Sequence, residues 1–240
     1  MTLYWLQLDK DTSIFDQLLL EEALLRNDTR NFCIVNEGTV PAIVMGISGK
    51  PHELVHTENA QAQNLPIIKR FSGGGTVVVD ENTLFVTFIF QKDIHRFPAY
   101  PEPIMKWSEG IYKPVFDHPS FALRENDYVL GEKKFGGNAQ YIRKDRWLHH
   151  TSFLWDYHPE KMSSLLHPKK TPKYREDRNH EDFLCKMKDS MPSKEMFFER
   201  LKESLSQSFT LQEISEGSLE LSKDHRTATV LLSNLASPPA

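Results

Sequence analysis

Two cations, Lys69 and Arg70, lead into Gly73-Gly74-Gly75, and the glycines lead into Thr76-Val77-Val78-Val79-Asp80. A glycine has no Cβ, so it reaches positive φ cheaply and lets backbone N–H groups approach a ligand. Successive N–H groups in such a turn form a concave anion site. Arg70 can add a forked, permanently charged donor at its edge. A bare triple glycine is also an ordinary hairpin turn. Here the flanking cations and the β-branched run favour an anion site. A second stretch, Lys133-Lys134-Phe135-Gly136-Gly137, again sets cations beside glycines and reads as a second cation-bearing loop. A reaction that builds negative charge on a carbonyl or phosphate oxygen needs fixed positive charge there. Lysine supplies it as a compact point charge.

Other chemistries are less well supported. Gly46-Ile47-Ser48-Gly49-Lys50-Pro51 ends like a phosphate-binding P-loop, but Val44 stands where its first glycine belongs. Pro51 also replaces the hydroxyl residue that would hold Mg2+, which excludes a nucleoside-triphosphatase of that class. His149 and His150 are not a metal pair, because neighbours on a strand point to opposite faces. Cys33 and Cys185 are too far apart to read as a disulfide framework and fit a reducing compartment, the cytoplasm. Cys33 lies in the apolar run Phe32–Val35, where a thiol behaves as a small buried hydrophobe. Cys185 reads as helical, with Lys186 and Lys188 close by. A net charge of −4 gives no reason to expect nucleic acid. Met1 to Asp11 reads as too polar for a signal peptide, and no apolar run is long enough to span a bilayer.

The elements that must position these groups follow from periodicity. Leu3–Leu8 alternates as a strand. Asp11, Thr12 and Ser13 offer N-caps to a helix through Arg26, in which Glu21 and Glu22 are expected to be solvated. Phe32–Val35 and Ala42–Met45 read as strands joined by a hairpin at Glu37-Gly38. A helix over 56–64 and a strand over 65–70 lead into the first glycine motif; strands over 76–79 and 83–90 follow. Ile104, Trp107, Ile111 and Val115 give 101–116 a helical apolar face that belongs in the core. Strands over 121–124 and 127–130 bracket Glu125-Asn126, and 147–157 is a long strand. After a short helix over 159–166, the charged stretch 167–182, with Pro168 and Pro172, reads as a mobile loop. A helix over 196–209, a strand over 210–214 and a frayed tail over 233–240 complete the chain. This is an α+β pattern: a mixed or antiparallel sheet flanked by helices, residues 1–240 forming one domain, with the two glycine loops converging at one end.

Arg70 to Val77 with Asp80, Gly131 to Gln140, and in part His149-His150-Thr151-Ser152 resemble, in order and spacing, three motifs of lipoate–protein ligases. The resemblance covers most of residues 1–190 and implies the biotin/lipoate-ligase catalytic fold. It implies a two-step reaction. A lipoate or octanoate carboxylate attacks the α-phosphorus of ATP, with Mg2+ offsetting charge, and gives acyl-AMP and pyrophosphate. A lysine of a lipoyl-accepting domain then attacks the mixed anhydride. By resemblance, Lys134 is the catalytic lysine that bridges acyl carbonyl and phosphate. Arg70, Lys133, Asn82, Asn126 and Asp127 would lie at the adenylate, and Gly73, Gly74, Gly75, Gly136, Gly137, Ala139, His150 and Ser152 along the acyl chain and acyl-AMP. Stretch 167–182 would fold over the adenylate and exclude water. The implied partners are lipoyl-accepting domains of 2-oxoacid dehydrogenase complexes or the glycine cleavage H protein.

The chain departs from the family pattern in places. Lys50-Pro51 stands for Asn-Pro, and His150-Thr151-Ser152 for His-Gly-Thr, with Ser152 in the hydroxyl role. Many members carry a further small C-terminal domain that helps form the adenylate, and this sequence stops at Ala240. Transfer from lipoyl-AMP is therefore expected to be robust, and activation from ATP weak or dependent on a separate accessory protein. Two other readings stay open: an ATP-independent octanoyl or lipoyl transferase working through a cysteine thioester, and a non-catalytic lipoyl-binding protein. In transferases the nucleophile follows an Asn-Pro pair; the comparable place, His167-Pro168-Lys169, has a lysine there.

Overall fold

The computed structural model describes residues 1–166, 172–221 and 226–232. Apolar runs of strand length give β1 (Thr2–Gln7), β2 (Phe32–Glu37), β3 (Ala42–Met45), β4 (Ile67–Lys69), β5 (Val77–Val79) and β6 (Thr83–Gln91). They continue as β7 (Phe121–Arg124), β8 (Asp127–Leu130), β9 (Lys133–Ile142), β10 (Arg146–Leu154), β11 (Thr210–Ile214) and β12 (Val230–Leu232). The helices are α1 (Ile14–Asn27), α2 (Pro51–Leu54), α3 (Thr57–Ala62), α4 (Pro101–Phe116), α5 (Pro159–Met162), α6 (His180–Phe183) and α7 (Lys194–Ser206).

Eight strands form one sheet in the order β11-β1-β2-β6-β10-β9-β8-β7, and four form another in the order β12-β4-β3-β5. Both are mixed: β1 runs parallel to β2 and β11, and β3 parallel to β4 and antiparallel to β5. On one face of the large sheet, α4 and α7 bury Tyr112, Phe116 and Phe197 against Phe88, Phe90 and Phe153. Helix α1 touches both sheets. Its Leu24 and Leu25 pack on Ile34, Ile89 and Leu148, and its Ile14 and Leu18 pack on Val44, Ile68, Val79 and Phe85. The small sheet closes its other side with Ala60 of α3 and Met162 of α5. Ser13 caps α1 by accepting from the Asp16 amide at 3.1 Å. No described helix is long and apolar enough to cross a membrane.

Four expectations change. Glu37-Gly38 is not a hairpin: β2 pairs with β6 in the large sheet, whereas β3 belongs to the small one. Phe32–Val35 and Ala42–Met45 are each apolar throughout, so periodicity carries no mark of which sheet each joins. Gly38 makes the crossing at φ +99, with a Cβ position 2.8 Å from the Glu81 carbonyl. Glu21 and Glu22 are both fully buried; Glu21 falls seven residues after Ile14, on the inward stripe of α1. The second glycine motif is not a loop but part of the continuous strand β9. Cys185 is not helical; it lies between α6 and a 3-10 turn, where Leu184 bridges to Lys134. β12 had no signal strong enough to predict it. His167-Pro168-Lys169 and Ser233–Ala240 lie outside the described residues.

Candidate active site

A cavity of about 820 Å³ is lined from both sheets, with Ile14, Leu18, Val77, Val79 and Phe85 on an apolar wall. At its polar end lie the Gly73–Gly75 turn, Asn126, Asp127 and Lys134. The volume falls within the usual range for small-molecule sites.

The turn is shaped from beneath. Arg70 is buried, not at the edge of the turn. Its Nη2 donates to the carbonyls of Gly73 at 3.1 Å and Gly75 at 2.8 Å, and its Nη1 to that of Val44 at 3.4 Å. Burial lowers the guanidinium to about 10, against the opposing field of Glu21. Gly74 sits at φ +118, and a Cβ there would lie 2.6 Å from Arg70 Nη2 and 3.1 Å from the Asn138 carbonyl. The Gly73 amide donates to the Gln140 carbonyl at 3.2 Å, which docks the turn onto β9. The Gly46 turn packs on it in turn, the Ile47 amide reaching the Ser72 carbonyl at 3.0 Å.

Strand alternation separates the two lysines. Lys133 is exposed and lies outside the cavity, whereas Lys134 lines it. The Lys134 ammonium lies 2.8 Å from Asp127 Oδ1, and the Asp127 side chain is 8% exposed. The other oxygen, Oδ2, accepts from the Tyr174 hydroxyl at 2.8 Å. Gly136 and Gly137 are bare for different reasons. A Cβ on Gly136 would sit 2.8 Å from the Phe153 ring, and one on Gly137 only 3.4 Å from Lys134 Nζ.

On β10, His150 and Ser152 face the cavity. His150 Nδ1 lies 3.0 Å from Glu21 Oε1 and 2.8 Å from Thr87 Oγ1, and Thr87 donates to Glu21 at 2.7 Å. A carboxylate only accepts, so Nδ1 of His150 carries a proton toward Glu21. His149 points the other way, 2.9 Å from the Gln140 amide, and burial lowers it to about 3.

The cavity thus brings together Lys134, Arg70, Asn126 and Asp127 with Gly73, Gly74, Gly75, Gly136, Gly137, Ala139, His150 and Ser152. It leaves out Lys133, by strand parity, and Asn82. Asn82 sits in the β5–β6 turn, its amide 3.4 Å from His158 and its carbonyl accepting from the Trp155 amide. Sequence reading passed over three contributors. Glu21 was signalled only by its place on the α1 stripe. Asn138 ties the Asn126 carbonyl at 3.0 Å and accepts from Thr151 at 2.8 Å. Tyr174 carries no local signal at all. Residues 172–183 lie along the cavity, with Pro172, Arg175 and Phe183 in its wall.

Asp80, Glu81 and His158 cluster at metal-ligand distances, but the Lys161 ammonium occupies the cluster, 2.7 Å from Asp80 and 3.3 Å from Glu81. Neither thiol lines the cavity. Burial pushes Cys33 far up, and pushes Cys185 to about 11. Lys186 and Lys188 serve Asp156, at 2.6 and 2.5 Å, and do not stabilise a thiolate.

The fold is that of the lipoate–protein ligases. A structure of lipoate-protein ligase A bound with ATP superposes with TM-score 0.74 at 17% identity, covering 90% of each chain. That of a bi-partite lipoate protein ligase from Thermoplasma acidophilum, studied with its E2 lipoyl domain, gives 0.73 at 17%, covering 90% of this chain and 89% of that one. Residues 13–210 match the lipoyl protein ligase A/B catalytic domain, and the chain belongs to that family. A Plasmodium falciparum protein named inactive lipoate–protein ligase 2 is 30% identical, over 83% of this chain and 68% of that protein. The lipoate-protein ligase LplJ of Bacillus subtilis is 27% identical over 54% of this chain, a match spanning only 39% of that protein.

Proposed function

We propose that this chain attaches lipoate, or octanoate, to a lysine of a lipoyl-accepting domain through an acyl-AMP made from ATP. The observation that carries this reading is the Lys134 ammonium, fixed by Asp127 at 2.8 Å inside a cavity with one apolar and one polar end. The apolar wall suits the acyl chain. The carboxyl group would then meet Lys134, and the phosphate the Gly74 and Gly75 amides, since that of Gly73 is engaged with Gln140. In the second step the acceptor amine adds to the carbonyl carbon, Lys134 offsets the charge that develops on oxygen, and AMP leaves. Both steps join bound partners, so positioning supplies much of the rate. Arg70 contributes by shaping the turn, since its Nη2 is engaged with the Gly73 and Gly75 carbonyls. Mg2+ carried by ATP would offset triphosphate charge. Asp127 is not assigned to it, because Lys134 and Tyr174 take its two oxygens. Helix α1 packs on both sheets, which supports a single catalytic domain.

Lipoyl-accepting domains of 2-oxoacid dehydrogenase complexes and the glycine cleavage H protein are the proposed acceptors. The Thermoplasma neighbour, studied with an E2 lipoyl domain, supports that class. A second reading, binding of the acyl-adenylate without ATP activation, is favoured by the name of the P. falciparum relative. Pyrophosphate release from ATP, Mg2+ and lipoate, followed by mass spectrometry of an added lipoyl domain, separates the two. Release with lipoylation is the expected result. Transfer from synthetic lipoyl-AMP without pyrophosphate release would move ATP activation elsewhere, and no transfer from either donor would overturn catalysis.

A further inference from the structure

Lys134 is a flexible side chain, and its usefulness depends on what holds it. Its carboxylate partner in the cavity wall, Asp127, is itself nearly out of water and ends in a group whose terminal torsion is broad and two-fold. A single bond to Lys134 would leave that carboxylate free to turn. Tyr174 removes this freedom: its hydroxyl donates to Asp127 Oδ2 at 2.8 Å while Lys134 holds Oδ1 at 2.8 Å.

Tyr174 is in turn placed by contacts that do not involve its hydroxyl. Its backbone amide donates to Glu125 Oε1 at 3.3 Å. Its ring lies under the Arg124 guanidinium at 5.1 Å and against Phe183 at 5.3 Å. Arg178 donates to its carbonyl and, at 2.8 Å, to that of Glu132. The stretch ends on β9, where the Cys185 amide meets the Lys134 carbonyl at 2.9 Å. The 172–185 segment therefore grips the backbone of Lys134 at one point and its counter-ion at another.

We propose that Tyr174 is a positioning residue for Lys134: by holding the second oxygen of Asp127, its hydroxyl fixes the first where the ammonium meets it. This rests on the reading of Lys134 as the reacting charge, but its test does not require activity. The full chain is pulsed with acetic anhydride at fixed pH, and acetylation of each lysine is read by mass spectrometry in wild type, Tyr174→Phe, Asp127→Asn and the double variant. Phenylalanine keeps the ring against Arg124 and Phe183 and removes only the hydroxyl. Lys134 acetylation is expected to rise about tenfold in Tyr174→Phe, the size that accompanies loss of a hydrogen bond to a charged group. Lys50 and Lys106, both exposed, should not change. Asp127→Asn should raise Lys134 acetylation at least as far, and the double variant no further, because the hydroxyl acts only through the carboxylate. In transfer from lipoyl-AMP, Tyr174→Phe should lower kcat about tenfold at unchanged KM.

Unchanged Lys134 acetylation in Tyr174→Phe overturns the proposal. So does a double variant whose effect is the product of the two, the result expected if the hydroxyl only steadied the segment. Unchanged kcat in Tyr174→Phe against an active wild type overturns it too. If the acetylation cycle is non-additive and the wild type transfers no acyl group, Tyr174 still positions Lys134 and the ligase reading fails instead.

Discussion

The carboxylate of Glu21 and the imidazole of His150 meet at 3.0 Å, with Glu21 fully buried and His150 lining the cavity. Glu21 also accepts from Gln17 and from Thr87, each at 2.7 Å. Glu21→Ala should leave the Gln17 amide and the Thr87 hydroxyl unpaired, His150 Nδ1 still reaching Thr87 Oγ1, and cost about 2 kcal/mol or more, the penalty being 1–3 kcal/mol for each such group. Glu21→Leu should fare no better. Urea unfolding checks this; a loss under about 1 kcal/mol would mean that the donors find water.

Lys134→Ala should lower acyl transfer by about 10²-fold or more, the scale of removing one preorganised charge, with the fold intact by circular dichroism. Lys134→Arg should not rescue it, because a planar guanidinium does not replace a compact point charge. Steady-state transfer from lipoyl-AMP reads both.

Neighbouring glycines in one turn should respond in opposite ways. Gly74→Ala forces a side chain into φ +118 against Arg70 and should cost about 1–3 kcal/mol, with ATP binding lost. Gly75 has nothing within 4 Å of its Cβ position, so Gly75→Ala should stay within about 0.5 kcal/mol. Thermal unfolding of the pair is the comparison.

Glu22 gives the protein a pH dependence. Burial alone would raise its pKa, but hydrogen bonds from the Ala228 and Thr229 amides, Arg26 and the Thr229 hydroxyl outweigh it and hold the group below its ordinary 4.5. A depressed carboxylate stabilises the fold above the unfolded value and loses that contribution as pH falls through the folded one. Wild type should therefore exceed Glu22→Gln in stability above pH 4.5, and the gap should narrow as pH drops below it. A gap constant from pH 7 to 3 would contradict this.

Cys33→Ser with Cys185→Ser should keep acyl transfer, and mass spectrometry after exposure to acyl donor should find no thioester. Burying a hydroxyl at Cys33 should cost stability, about 1–3 kcal/mol. A covalent adduct lost together with activity in Cys185→Ser would favour a thioester route.

What could be read from the chain alone was what local chemistry decides. Apolar runs located most strands, and the spacing of Ile104, Ile111 and Val115 behind Pro101 marked α4 from end to end. The glycine motifs marked the polar end of the cavity because residues without Cβ are needed where backbones approach closely. Tertiary structure decided what each group faces. Arg70 turned inward because the carbonyls of its own turn offered acceptors. Lys134 rather than Lys133 entered the cavity because adjacent residues of a strand point to opposite sides. Ala42–Met45 left its neighbour Phe32–Val35 for another sheet, a choice that two apolar runs cannot announce. Glu21 reached His150 across 129 residues of sequence, and Tyr174 reached Asp127 across 47. Periodicity tells how a segment is wound and which residues share a face. Only packing brings that face to its partner, because the partner comes from elsewhere in the chain.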